Sequence, residues 1–141
     1  MRIAITYWSG TGNTEAMASL IAEGARLTGA QVDLIPISQW DKQTFLAYDR
    51  YAFGCPASGG EELEELEFLP YYNELEKMVG HKLVALFGSY GWGGGEYMRE
   101  WERRVRANGV QVFEQGLAIL DEPSDDALEC REFGYRFASA P

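Results

Sequence analysis

Thr6-Tyr-Trp-Ser-Gly-Thr-Gly-Asn-Thr-Glu-Ala-Met-Ala18 is the stretch that decides the fold. The run leading into it, Met1-Arg-Ile-Ala-Ile-Thr-Tyr7, is β-prone and mostly apolar, and the run leaving it repeats apolar residues at helical spacing through Met17, Leu20, Ile21 and Ala25. A strand therefore turns sharply into a helix through small hydroxyl and glycine residues. Free backbone N–H groups and the positive end of a helix converge at such a junction, which suits an anion, phosphate above all. Ser9, Thr11, Asn13 and Thr14 add side-chain donors, while Gly10 and Gly12 allow close backbone approach. The loop has no lysine. A nucleotide-hydrolysing P-loop ends in Gly-Lys-Ser/Thr to stabilise charge developing in phosphoryl transfer, so the guest here is held rather than cleaved. The dinucleotide pattern GxGxxG fits no better, because the third glycine position is Glu15. A plain tight turn capped by Thr14 would account for a lone Gly-x-Gly, but not for four hydrogen-bonding side chains in six positions.

Outward from this junction, apolar β-type runs recur at 2–7, 31–37, 50–55, 82–88 and 110–120, separated by helical or loop patterns. That alternation predicts a parallel sheet covered on both faces. Tyr51-Ala-Phe-Gly-Cys55 and Leu83-Val-Ala-Leu-Phe-Gly88 are nearly continuous hydrophobics, as central strands should be. Between them, Glu64 to Val79 reads as a helix carrying Leu66, Leu69, Leu75 and Met78, interrupted or kinked near Pro70 and stopped at Gly80. Tyr97 to Ala107 reads as an amphipathic helix with Met98, Trp101 and Val105 inward, Arg99, Arg103, Arg104 and Arg106 largely outward, and Asn108-Gly109 as terminator. Ser124 to Ala138 supplies a last helix, capped by Ser124 or Asp125, with Leu128, Cys130, Phe133 and Phe137 as core candidates.

With 141 residues the chain fits a single domain spanning 1–141. No segment looks like a signal peptide or a bilayer span, so a soluble, cytoplasmic protein is expected. Cys55 and Cys130 lie far apart without metal-type spacing and read as small buried hydrophobes. Lys plus Arg total 12 against 22 Asp plus Glu, a formal charge of −10 that repels nucleic acid and anionic lipid and complements a basic partner patch. Acidity for solubility alone would give the same balance.

In an open parallel sheet, ligands bind beyond the carboxyl ends of the strands where strand order reverses. The loops after the third and fourth runs, Pro56-Ala-Ser-Gly-Gly-Glu-Glu62 and Ser89-Tyr-Gly-Trp-Gly-Gly-Gly-Glu96, should share the site with the first. Trp92, flanked by glycines, has little core to fill and can lie on a planar ring system. Trp8, Trp40 and Trp101 look more like packing, although Trp8 adjoins the phosphate loop. His81, the single histidine, reads as surface scaffold after Gly80. No serine triad, carboxylate pair or nucleophilic cysteine pattern is present. A phosphate clamp and an aromatic platform without a charged catalytic group suggest a mononucleotide that brings its own chemistry, and FMN fits best.

Three segments, Tyr7-Trp-Ser-Gly-Thr-Gly-Asn-Thr-Glu-Ala-Met17, Gly54-Cys-Pro-Ala57 with Glu61-Glu-Leu-Glu64, and Leu86-Phe-Gly-Ser-Tyr-Gly-Trp-Gly93, make the sequence resemble the short-chain, clostridial-type flavodoxins over essentially its whole length. Flavodoxins are the type example of a doubly wound sheet ordered 2-1-3-4-5 with FMN at the switch point. The resemblance implies that α/β fold, with a five-stranded parallel sheet and helices on both faces. It implies that Ser9, Gly10, Thr11, Gly12, Asn13 and Thr14 hold the FMN phosphate. It further implies that Pro56, Ala57, Ser58, Gly59 and Gly60 line the inner ring face and N5 edge, and that Glu61 accepts from flavin N3. Ser89, Tyr90, Gly91, Trp92 and Gly93 form the other wall, with Trp92 stacked on the outer face, and Asp121 with Leu120 approaches the pyrimidine side. Similar flavodoxins often carry methionine where this chain has Ser58, which weakens binding on that face or leaves it to a neighbour such as Leu63. The Gly59-Gly60 peptide, free of β-carbons, is expected to flip on reduction so that the Gly59 carbonyl accepts the N5 proton. The function implied is a low-potential one-electron carrier without substrate turnover. Expected partners are redox proteins with basic docking patches, of the ferredoxin or flavodoxin reductase and oxidoreductase kind. No nucleic acid, membrane or metal is expected, and the chain is expected to be a monomer. The alternatives are an FMN-dependent quinone or nitro reductase and a flavin-free regulatory module on the same scaffold.

Overall fold

The apolar runs become strands whose alternate residues enter two separate cores. A computed structural model describes residues 1–58, 63–64, 66–91, 93–124 and 126–141. Its strands are β1 (Arg2–Tyr7), β2 (Gln31–Pro36), β3 (Arg50–Gly54), β4 (Leu83–Tyr90), β5 (Gln111–Val112) and β6 (Leu117–Leu120). The helices are α1 (Asn13–Arg26), α2 (Lys42–Phe45), α3 (Phe68–Glu76), α4 (Glu96–Ala107) and α5 (Ala127–Ser139). Strand order is β2-β1-β3-β4-β5, with β6 also on β4, and every pairing is parallel. The chain leaves β1 for β2 on one side and then crosses to β3 on the other, so the carboxyl ends of β1 and β3 flank the reversal of strand order.

Period-two alternation fixes which side chains face which helices. Ile3, Ile5, Ala52, Ala85 and Phe87 face a core closed by Met17, Ile21, Phe133 and Phe137 of α1 and α5. Ala4, Tyr51, Phe53, Val84 and Leu86 face an aromatic-rich core closed by Phe45, Phe68, Tyr72 and Trp101 of α2, α3 and α4. There Phe45 stacks on Tyr51 at 4.2 Å between ring centroids, and Trp101 meets Phe68 edge-on at 5.7 Å. The α1 and α5 helices touch through glycines: a Cβ on Gly24 would stand 1.8 Å from the Arg131 carbonyl oxygen, and one on Gly134 2.0 Å from that of Ile21. Buried Arg50, at the start of β3, donates to the Phe137 and Ala140 carbonyls at 2.5 Å each, satisfying the free end of α5.

Several boundaries differ from the sequence reading, each for a local reason. The fifth β run is two pieces, because Glu114 adopts a left-handed conformation at φ 48° and the backbone at Glu114 and Gly116 bonds to α4 side chains. Arg106 donates to the Glu114 carbonyl at 2.6 Å, and the Glu102 carboxylate accepts from Gly116 N–H. The third helix starts at Phe68, not Glu64, and Pro70 sits in its first turn, where a missing N–H breaks no helical bond and no kink is required. Leu66 is consequently 92% exposed. Arg99 is half-buried, donating to the Gly116 carbonyl at 2.7 Å rather than facing outward. The cap position of α5 is Asp126, not Ser124 or Asp125, and Leu128 is 67% exposed. The stop at Gly109 holds, directly after the Asn108 cap and with positive φ, whereas α3 ends at Glu76 with Lys77 as its cap, three residues before Gly80. Cys55 and Cys130 are buried free thiols, and burial pushes each up to about 12. Among the described residues, no helix is long and apolar enough to cross a membrane.

Candidate functional site

The carboxyl ends of β1, β3, β4 and β6 open into one cleft. From the first loop come Trp8, Gly10, Thr11 and Asn13; from the second, Pro56, Ala57 and Ser58; from the third, Ser89, Tyr90 and Gly91; and from the end of β6, Asp121. Asp121 is the single charged residue among these.

The first loop is an anion cradle in its geometry. Gly12 occupies the N-cap of α1 at φ 96° and has no side chain to cap the helix, which leaves its first amides to the hydroxyls of the preceding loop. The Ser9 hydroxyl oxygen accepts from Gly12 N–H at 3.0 Å and from Glu15 N–H at 3.3 Å. Two amides thus aim at one oxygen, the donor set that a phosphate oxygen needs at a helix terminus. Thr11 Oγ1 accepts from Asn13 N–H at 3.4 Å. Thr14 is neither a cap nor a cleft residue: it is buried, lies 3.0 Å from the Ser89 hydroxyl, and accepts from Ser89 N–H at 3.3 Å. That pair pins the start of α1 to the end of β4.

The other walls are tied to the sheet by backbone bonds. Cys55 N–H donates to the Phe87 carbonyl at 3.1 Å and Ala57 N–H to the Ser89 carbonyl at 2.9 Å, extending the β3–β4 ladder beneath Pro56 and Ser58. Asp121 N–H donates to the Tyr90 carbonyl at 2.8 Å, and Asp121 is itself left-handed at φ 57°. Asp tolerates that conformation better than most residues, and the turn sets its carboxylate beside Gly91. Gly93 is left-handed at φ 84° and opens the turn into α4. Gly59, Gly60, Glu61 and Trp92 lie outside the described residues.

The flavodoxin family profile matches residues 5–134. The chain belongs to the flavodoxin family. It is 45% identical over 135 residues to the flavodoxin of Clostridium beijerinckii, covering 96% of this chain and 98% of that one. It is 42% identical to the flavodoxin of Megasphaera elsdenii, covering 98% of this chain and 99% of that one. The solution structure of the two-electron reduced M. elsdenii flavodoxin superposes with a TM-score of 0.87 over the same shares of the two chains. An archaeal flavodoxin structure, 28% identical, gives 0.88 over 98% of this chain and 96% of that one. The sheet order expected from the flavodoxin resemblance is the order found.

Sequence reasoning missed two residues at this flavodoxin site. Trp8, read as packing, lines the cleft, and its indole covers Gly10, where a Cβ would come within 3.1 Å of the ring. Glu64, read as the first residue of the third helix, is a buried carboxylate at the foot of the second loop. It accepts from Leu66, Glu67 and Phe68 N–H at 2.8, 2.7 and 2.7 Å. Burial raises the Glu64 carboxyl, but these three backbone donors outweigh it and leave the group below its ordinary value. The available signal was Pro70: a proline in a first turn places the helix start close behind it, and an acid just upstream caps the exposed amides. Leu63, named for the inner ring face, is buried in the aromatic core and does not line the cleft.

Proposed function

We propose that the cleft holds FMN, its phosphate at the open start of α1 and its ring between the second and third loops. Membership of the flavodoxin family makes the chain an FMN-binding electron carrier rather than an enzyme with a substrate of its own. When bound, FMN supplies the one-electron chemistry.

The single observation that carries the residue assignment is the convergence of Gly12 and Glu15 N–H on one hydroxyl oxygen, that of Ser9, at a helix start whose cap residue is a glycine. A phosphate bound there is neutralised by amides and the helix dipole, with no cation among the cleft residues. Ser9 and Thr11 hydroxyls turn to donate, and Asn13 reaches the same end of the cleft. Pro56, Ala57 and Ser58 form one ring wall; Tyr90 and Gly91 form the other, and Asp121 closes an edge. Trp92 and Glu61 take the stacking and N3-accepting roles that the family resemblance implies. Partners are redox proteins that dock through basic patches against this acidic chain, which acts as a monomer.

Purified protein should show flavin absorbance at one FMN per chain, and stepwise reduction should take up two electrons. Ser9→Ala should weaken FMN while leaving phosphate-free riboflavin nearly unaffected, by about tenfold for one charge-assisted hydrogen bond. A colourless chain that does not take up FMN sinks the assignment.

A further inference from the structure

The wall formed by Pro56, Ala57 and Ser58 grows from Cys55, which is gripped from two directions by residues outside the cleft. From α4, the buried Tyr97 hydroxyl donates to the Cys55 carbonyl at 3.0 Å. From the far end of the second loop, Glu64 N–H donates to Cys55 Sγ at 3.5 Å, while the Glu64 carboxylate gathers the three amides that begin α3. Gly88 in the middle of β4 makes room for the first grip. A Cβ there would lie 2.0 Å from the Cys55 carbonyl oxygen and 2.2 Å from Tyr97 Oη. A glycine in a buried central strand weakens the strand, so its place opposite this hydrogen bond is informative. Tyr97 also stands in the first turn of α4, directly after the left-handed Gly93, Gly94 and Gly95, and so ties the root of the second loop to the end of the third.

We propose that Tyr97 and Glu64 are positioning residues for the ring end of the cleft, clamping Cys55 so that the Pro56–Ser58 wall and the third loop stay in register. The inference rests on reading the cleft as an FMN site. Neither side chain lines the cleft, and both act through Cys55 and the loop ends. The phosphate cradle has its own separate support in the Thr14–Ser89 pair. Releasing the clamp therefore loosens ring binding and leaves phosphate binding alone, a separation that a purely structural loss would not produce.

Tyr97→Phe removes the bond to the Cys55 carbonyl, and Glu64→Gln weakens the hold on the amides that begin α3 and so on the loop end that carries the Glu64 N–H to Cys55 Sγ, each at nearly constant shape. Dissociation constants for FMN and riboflavin, stabilisation by inorganic phosphate, and both one-electron midpoint potentials are measured for each variant and the wild type. FMN and riboflavin should weaken together by about five- to tenfold in either variant, the loss of one buried hydrogen bond. Phosphate stabilisation should stay at the wild-type level, and at least one midpoint potential should move. Variants that melt earlier but bind riboflavin as the wild type does, at unchanged potentials, overturn the proposal. If one variant does not fold, the other decides; if neither folds, the residues serve the fold and the proposal falls. A wild type that binds FMN while the variants match it refutes the clamp alone, whereas a wild type that binds no flavin removes the cofactor reading and the clamp with it.

Discussion

At the scale of single residues, the site depends on polar groups placed where apolar ones would be cheaper. Glu64 is the strongest case, since burying a carboxylate is unfavourable unless its oxygens are satisfied, and here three backbone amides do so. Those amides hold the Glu64 carboxyl below the ordinary 4.5 despite the opposing pull of burial. A group whose folded value is depressed contributes stability that is complete above its unfolded value and is lost as pH falls through the folded one. Glu64→Gln keeps one acceptor oxygen and cannot titrate. At neutral pH the variant should therefore be less stable by about 1–2 kcal/mol, the usual worth of a capping interaction. As pH falls from 4.5 through the lowered folded value the wild type loses its advantage, and the two urea midpoints should converge. Other carboxylates are common to both chains and cancel in the difference. A gap that stays constant from neutral to acid pH would show that the amide bonds do not depend on the charge.

At the scale of elements, α1 matters most, because its first turn presents the amides and its last two turns lie against α5. That contact is made backbone to backbone: β-carbons on Gly24 and Gly134 would collide with the Arg131 and Ile21 carbonyls. Gly24→Ala and Gly134→Ala should each cost about 1–3 kcal/mol by overpacking, against the small gain alanine brings to a helix interior. Thermal melting of the flavin-free chain checks this, and equal or higher melting temperatures would mean that the helices separate freely. The sequence revealed α1 through its 3.6-residue apolar spacing and the two central strands through unbroken burial, because both signals are periodic. It concealed what is not periodic. Leu66 and Leu128 fall at helical spacing but lie exposed, one before α3 begins and one on the solvent side of α5. The break at Glu114 depends on long-range bonds from Arg106 and Glu102, which no local pattern encodes. At the site, the glycine and hydroxyl loop was plain, whereas Trp8 and Glu64 required knowing which loops meet.

For the whole molecule, the governing fact is how the 22 acidic and 12 basic residues are distributed about the sheet. Arg2, Arg50 and Lys82 open or precede strands, and Arg26, Arg104, Arg106 and Arg136 lie in the last turns of helices that run back against them. These cations lie toward the end of the sheet opposite the cleft, where Asp33 and Glu114 pair with Arg2 and Arg136, while Glu15, Glu67, Asp121 and Glu122 lie at or near the carboxyl ends of the strands. Acids with no cation among the cleft residues make the carboxyl end of the sheet negative, and the field of that end orients an approaching cation before contact. Small inorganic oxidants read the sign of this field directly. Electron transfer from the reduced protein to a cationic cobalt(III) ammine should slow as salt rises and shortens the Debye length from about 30 Å at 0.01 M to about 10 Å at 0.1 M. Transfer to ferricyanide, an anion, should quicken over the same range. Replacing Asp121 and Glu122 by their amides should flatten both slopes while replacing Glu74 and Glu100, which pair with Lys42 and Arg103 on helix surfaces, should change neither. Equal flattening by the two pairs of substitutions would mean that charge is spread evenly over the surface, and a basic docking partner would then need contacts of another kind to find the cleft.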